Sequence, residues 1–64
     1  MENKIKELRK LKRMSQDQLA QTCGVSRQTI NAIENNKYDP SLMLAFQLAE
    51  HLEVSVDKLF LYKQ

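Results

Sequence analysis

Residues 15–35 read SQDQLAQTCGVSRQTINAIEN, and the spacing within them decides the fold. Ser15 supplies a side-chain acceptor for the first free amides of a helix. Gln18 stands where a capping box places its side chain, and Asp17 puts an acid where the helix dipole favours one. This predicts a short helix that begins after Ser15 and turns Leu19, Ala20 and Cys23 inward. Gly24, the chain's only glycine, follows at once. Its freedom to adopt positive φ lets it end that helix and turn the backbone sharply. Val25 adds an apolar anchor and Ser26 a second N-cap, so another helix is expected from Arg27 to about Asn35, burying Ile30 and Ile33. Two helices joined so tightly approach closely at the corner, which calls for small residues such as Ala20 and Gly24. The other positions of the second helix then face outward.

Upstream, Ile5, Leu8 and Leu11 recur among charges between Lys4 and Lys12, one stripe of a 3.6-residue period and hence a first helix. Downstream, Asn35 to Pro40 is polar and ends on the chain's single proline, which marks a loop. Ser41 is expected to cap a fourth helix with Leu42, Ala45, Leu48, Ala49 and Leu52 on one face. Ser55 is expected to cap a last turn through Val56, Leu59 and Phe60. No internal repeat or low-complexity segment interrupts this order. A chain of 64 residues, 42% hydrophobic and poor in β-branched and aromatic residues, fits one all-α domain over residues 1–64. Its bent helix pair spans about residues 16–35, and its C-terminal helices and short tail span 41–64.

Composition excludes several classes of function. A lone cysteine, Cys23, forms no internal disulfide, so the core must supply the stability, as suits a reducing cytosol. Met1 to Lys10 carries charges and no apolar run of a leader, and Leu42 to Phe46 is far too short to span a bilayer. Secretion and membrane insertion are therefore not expected. No glycine-rich phosphate loop, no His and Cys or His and Ser pair, and no ligand cluster is present, so neither an enzyme nor a cofactor is expected. His51 and Cys23 each lack the partners of a zinc site, which leaves Cys23 as a small core residue. Residues 1–37 hold eight Lys/Arg against four Asp/Glu, and residues 38–64 hold two against four. A basic first half suits a polyanionic partner, although Lys4, Lys6, Lys10, Lys12 and Arg13 also fit a hydrated helix face.

Taken together, Ser15 to Ala20, Gly24 to Arg27, Ile30 to Asn35 and Pro40 to Leu42 resemble the XRE-type family of phage repressors and Cro proteins. Those segments carry its Ser-Gln-x-x-Leu-Ala, Gly-Val-Ser-Arg, Ile-x-x-Ile-Glu-Asn and Pro-Ser-Leu elements, and the resemblance runs from Ile5 to Phe60. It implies a compact five-helix bundle whose second and third helices form a helix-turn-helix, the third entering the DNA major groove. It further implies a sequence-specific transcription regulator, most simply a repressor, in the cytoplasm with the nucleoid. The base readers would be Arg27, Gln28, Thr29, Asn31 and Ala32, since Arg suits guanine O6 and N7 and Gln suits adenine. Gln16, Ser26, Asn35 and Lys37 would hold phosphates. Arg9 and Glu34 would pair behind the recognition helix, with Ala20 and Gly24 supporting the corner. Asn36 departs from the family's usual glycine but tolerates a left-handed turn. Surplus apolar residues at Met43, Leu44, Phe46, Leu61 and Tyr62 either complete the core or form a homodimer surface. The competing expectation is a protein-interaction module, such as an antitoxin-like partner. No small-molecule ligand is expected.

Overall fold

The computed structural model describes residues 1–62 of the chain. Five helices follow one another among the described residues: α1 (Ile5–Leu11), α2 (Gln16–Cys23), α3 (Arg27–Glu34), α4 (Leu42–Leu52) and α5 (Val56–Leu59). Two short strands, β1 (Glu2–Asn3) and β2 (Phe60–Leu61), flank them. Serine starts three of the helices in the same way. Ser15, Ser26 and Ser41 sit in extended backbone and accept the amides of Gln18, Thr29 and Leu44. At α2 the capping box is complete: the Gln18 amide donates to Ser15 Oγ at 3.0 Å, and the Ser15 amide donates to Gln18 Oε1 at 2.8 Å. Lys4 provides no such side chain ahead of α1, and Asn3 Oδ1 accepts the Ile5 amide instead, at 3.1 Å.

The helix ends share a device too. Arg13, Gly24, Asn36 and Glu53 all lie in the left-handed region, with φ of 56°, 70°, 61° and 60°. Beyond each, an amide reaches back five residues: Met14 to Arg9 O, Val25 to Ala20 O, Lys37 to Ala32 O and Val54 to Ala49 O, all within 3.0 Å. Only one of the four is glycine. The left-handed turn expected at Asn36 is present, while those at Arg13 and Glu53 carry no sequence signal.

The core gathers Ile5, Leu19, Ala20, Cys23, Ile30, Ile33, Leu44, Ala45, Leu48, Ala49, Leu52, Leu59 and Phe60, with Leu8, Met14, Val25, Val54 and Val56 packed at its edge. α4 runs behind the rest: α2 packs on α3 and α4, and α1 and α5 pack on α4. Four expectations need correction. Leu11 is exposed, because α1 is centred on Ile5 and Arg9 and a residue six places beyond Ile5 points well away. Leu42 is exposed, because it opens α4 at the edge of a face centred on Leu48. Leu44 is buried on that same face, so it belongs to the core and is withdrawn from the candidate dimer surface.

Phe60 likewise leaves the last helix to join a strand. β1 and β2 pair antiparallel, Glu2 opposite Leu61 and Asn3 opposite Phe60, and the Lys4 amide donates to Leu59 O at 2.9 Å. Strands of two residues are too short to show alternation, so the sequence has no signal for them. Their pairing brings residues 2–3 and 60–61 together.

Candidate nucleic-acid interface

α3 is fixed from its inner side. Ile30 and Ile33 are fully buried, and on its other side the helix turns Arg27, Gln28 and Asn31 to solvent. These three line one shallow surface depression. Thr29 and Ala32 are half-buried on the flanks. The Thr29 hydroxyl lies 3.0 Å from Ser26 Oγ, which also accepts the Thr29 amide at 3.2 Å, so both hydroxyls serve the cap as well as the surface. At the other end of α3, Asn35 Nδ2 donates to Asn31 O at 2.9 Å and to Asn31 Oδ1 at 3.3 Å. That uses one of the two acceptor positions of Asn31 Oδ1 and leaves its amide NH2 as a donor.

Around this ridge lie the residues expected on phosphates. Gln16 opens α2 and lines a second depression with Arg9, Ser15, Asp17 and Arg27, so Arg27 sits between the α3 ridge and the start of α2. Ser26, Asn35 and Lys37 are exposed at or beyond the two ends of α3. Arg27 lines both depressions, so the structure brings Arg27, Gln28, Asn31 and Gln16 to one side, while Ser26 is engaged in capping α3. Asn35 is turned onto its own helix, and Lys37 stands in the loop beyond it.

Behind the ridge, Arg9 Nε donates to Glu34 Oε2 at 2.8 Å and Arg9 Nη2 to Glu34 Oε1 at 3.3 Å. Arg9 Nη1 donates to Met14 O at 2.9 Å, which ties the pair to the end of α1. The two side chains are only 10% and 2% exposed, so the pair joins α1 to α3 away from water. Ala20 is buried at the corner and Gly24 turns it.

Two neighbouring features escaped the sequence reading. Asn3 Nδ2 donates to Ile33 O at 2.8 Å and to Asn36 Oδ1 at 3.4 Å, so the first residues hold the loop after α3. Thirty positions separate Asn3 from Ile33, and no local pattern signals that contact. Tyr38 is an exposed aromatic beside Lys37, readable in the sequence only as a loop residue. Elsewhere, burial pushes the Cys23 thiol above its ordinary value, which favours its protonated form. Among the described residues no group of three His, Cys, Asp or Glu is gathered to hold a metal ion, and no helix is long and apolar enough to cross a membrane.

Two helices bent at Gly24, with a polar ridge on the outer side of the second, define a helix-turn-helix protein. The sequence model of the helix-turn-helix family matches residues 5–59, and the chain belongs to that family of DNA-binding transcriptional regulators. It is 51% identical over 98% of its length to an uncharacterized HTH-type transcriptional regulator of Methanocaldococcus jannaschii, covering 96% of that protein. It is 43% identical over 94% of its length to YgzD, an uncharacterized HTH-type transcriptional regulator of Bacillus subtilis, covering 91% of it. Among solved structures it is similar to the restriction-modification controller protein C.AhdI from Aeromonas hydrophila, with a TM-score of 0.79 and 32% identity over 88% of this chain and 85% of that one. The master regulator for biofilm formation SinR, solved in complex with DNA, is similar with a TM-score of 0.74 and 36% identity over 81% of this chain and 84% of its own.

Proposed function

We propose that α3 enters the DNA major groove and reads base edges through Arg27, Gln28 and Asn31, with Thr29 and Ala32 against the groove walls. Gln16, Ser26, Asn35 and Lys37 take the flanking phosphates. The carrying observation is the exposed edge of Arg27, Gln28 and Asn31 on a helix whose opposite face is locked by Ile30 and Ile33. A helix held this way loses little further freedom on docking, so its side chains act from a defined register. Arg27 offers paired donors for guanine, Gln28 a donor and acceptor for adenine, and Asn31 a donor for an acceptor edge. The similarity to a protein solved on DNA supports the same placement.

The protein acts by binding rather than by catalysis, as a cytoplasmic, nucleoid-associated repressor that occludes a promoter. It does so as a homodimer on two half-sites about one DNA turn apart. Met43 and Phe46 on α4, with Leu42 beside them and Leu61 and Tyr62 at the chain's end, are exposed apolar residues that favour a second copy of the chain as their cover. The same exposed residues favour, as the second reading, a different protein as partner.

Selection of bound sequences from a random duplex pool, followed by gel shifts across a salt series, tests the proposal. A two-half-site consensus, with affinity falling steeply as salt rises, is the expected result. Failure to shift any duplex at low salt would leave the protein-partner reading in its place.

A further inference from the structure

Gln16 Nε2 donates to Glu34 Oε1 at 3.1 Å, so the carboxylate that binds Arg9 also holds the first side chain of α2. We propose that Glu34 is a positioning residue for DNA-backbone capture, holding the Gln16 amide at the depression between α2 and α3. The proposal rests on the DNA-binding reading above. Its basis is the geometry of one buried carboxylate serving three elements. Glu34 projects from α3, and its side chain is 2% exposed, so water does not compete for its oxygens. Oε2 takes Arg9 Nε, and Oε1 is shared between Arg9 Nη2 and Gln16 Nε2, which suits a carboxylate's four lone-pair positions.

A Gln side chain amide carries two donor hydrogens. Glu34 takes one, and the other remains beside the first amides of α2, in a depression lined also by Ser15, Asp17 and Arg27. An unrestrained Gln loses on the order of tenfold in affinity when a partner must first order it, and the bond to Glu34 removes most of that loss beforehand. Charge is balanced as well. Arg9 neutralises Glu34, so an incoming phosphate meets the Gln16 amide without an uncompensated carboxylate behind it. Asp17 and Arg27, opposite in sign, flank the same depression.

A double-mutant cycle on the selected duplex tests the role, with thermal melting of each variant recorded alongside. Gln16→Ala and Glu34→Gln should each weaken binding about tenfold, since an amide at position 34 keeps one acceptor oxygen where the carboxylate has two and turns its NH2 towards a donor of Arg9 or Gln16. The double variant should be weaker than either single by no more than about twofold, because Glu34 acts through Gln16. Equal losses from Glu34→Gln with and without Gln16 would reduce Glu34 to a support of the fold, and an unaffected Gln16→Ala would overturn the proposal directly. Should Glu34→Gln fail to fold, relaxation of the wild-type side-chain amides decides. Gln16 is expected to be ordered in the free protein, and mobility equal to that of the exposed Gln21 and Gln47 overturns the role. A wild-type protein that shifts no duplex sinks the DNA-binding reading itself, whereas additive losses on a duplex that does bind sink only Glu34.

Discussion

Arg27, Gln28 and Lys37 are all exposed polar residues, yet position separates what each can do. Arg27 and Gln28 stand on the ridge of α3, and Lys37 lies in the loop beyond it. Replacing Arg27 or Gln28 with Ala should cost about 1–3 kcal/mol on the preferred duplex and relax selection at particular base pairs. Lys37→Ala should weaken all duplexes alike and reduce the salt slope by about one. Equal effects from the three variants would remove the distinction between reading and clamping. Cys23 gives a residue-scale test of the core. Burial raises its folded thiol pKa, so the folded chain keeps a proton that the unfolded chain releases. The stability this contributes is whole below the ordinary thiol value of 9.0 and is lost as pH rises through the folded value. Urea melts above pH 9.0 should therefore lose stability faster in the wild type than in Cys23→Ser, and iodoacetamide should label Cys23 only as fast as the protein opens.

At the scale of elements, helix starts and helix ends differ in how much the sequence discloses. Ser15, Ser26 and Ser41 mark their helices because an N-cap is a side-chain function, tied to a few residue types. The C-terminal turn is a backbone function that any residue can perform at some cost, so Gly24 is legible while Arg13 and Glu53 are not. Glu53→Gly should therefore raise stability by about 0.5 kcal/mol, since relief of the left-handed strain exceeds the entropy that glycine adds to the unfolded chain. The exposed ion pair from Lys12 to Glu53, 3.1 Å long, contributes little against that. A few degrees' rise in Tm would show it, and a fall would mean that the strain is absent. Arg9→Met should act in the opposite sense, destabilising by about 3 kcal/mol or more in urea, because it strands Glu34 out of water with only Gln16 as a side-chain partner.

For the whole molecule, the exposed apolar side chains of α4 carry the prediction. Phe46 is 58% exposed and Met43 73%, so neither holds the monomer's core together. Phe46→Glu should leave the melting curve of the monomer nearly unchanged while shifting sedimentation from dimer to monomer, and binding should fall more on a two-half-site duplex than on a single half-site. Sedimentation of the wild type as a monomer at all concentrations would withdraw the homodimer.

What residues 15–35 determined by themselves was the bend: two capped helices, a glycine between them, Ile30 and Ile33 on one side and a polar ridge on the other. Such features are local, since caps, turns and helical periodicity act within a few residues. Only the tertiary structure decided that Leu44 is core while Leu42 is surface, because a helix's inward direction is set by what packs against it. It alone also paired β1 with β2, set Asn3 on the loop after α3, and added Gln16 to the Arg9–Glu34 pair that the family resemblance implies. Those contacts join residues far apart in the chain, and their energy exists only once the helices have met.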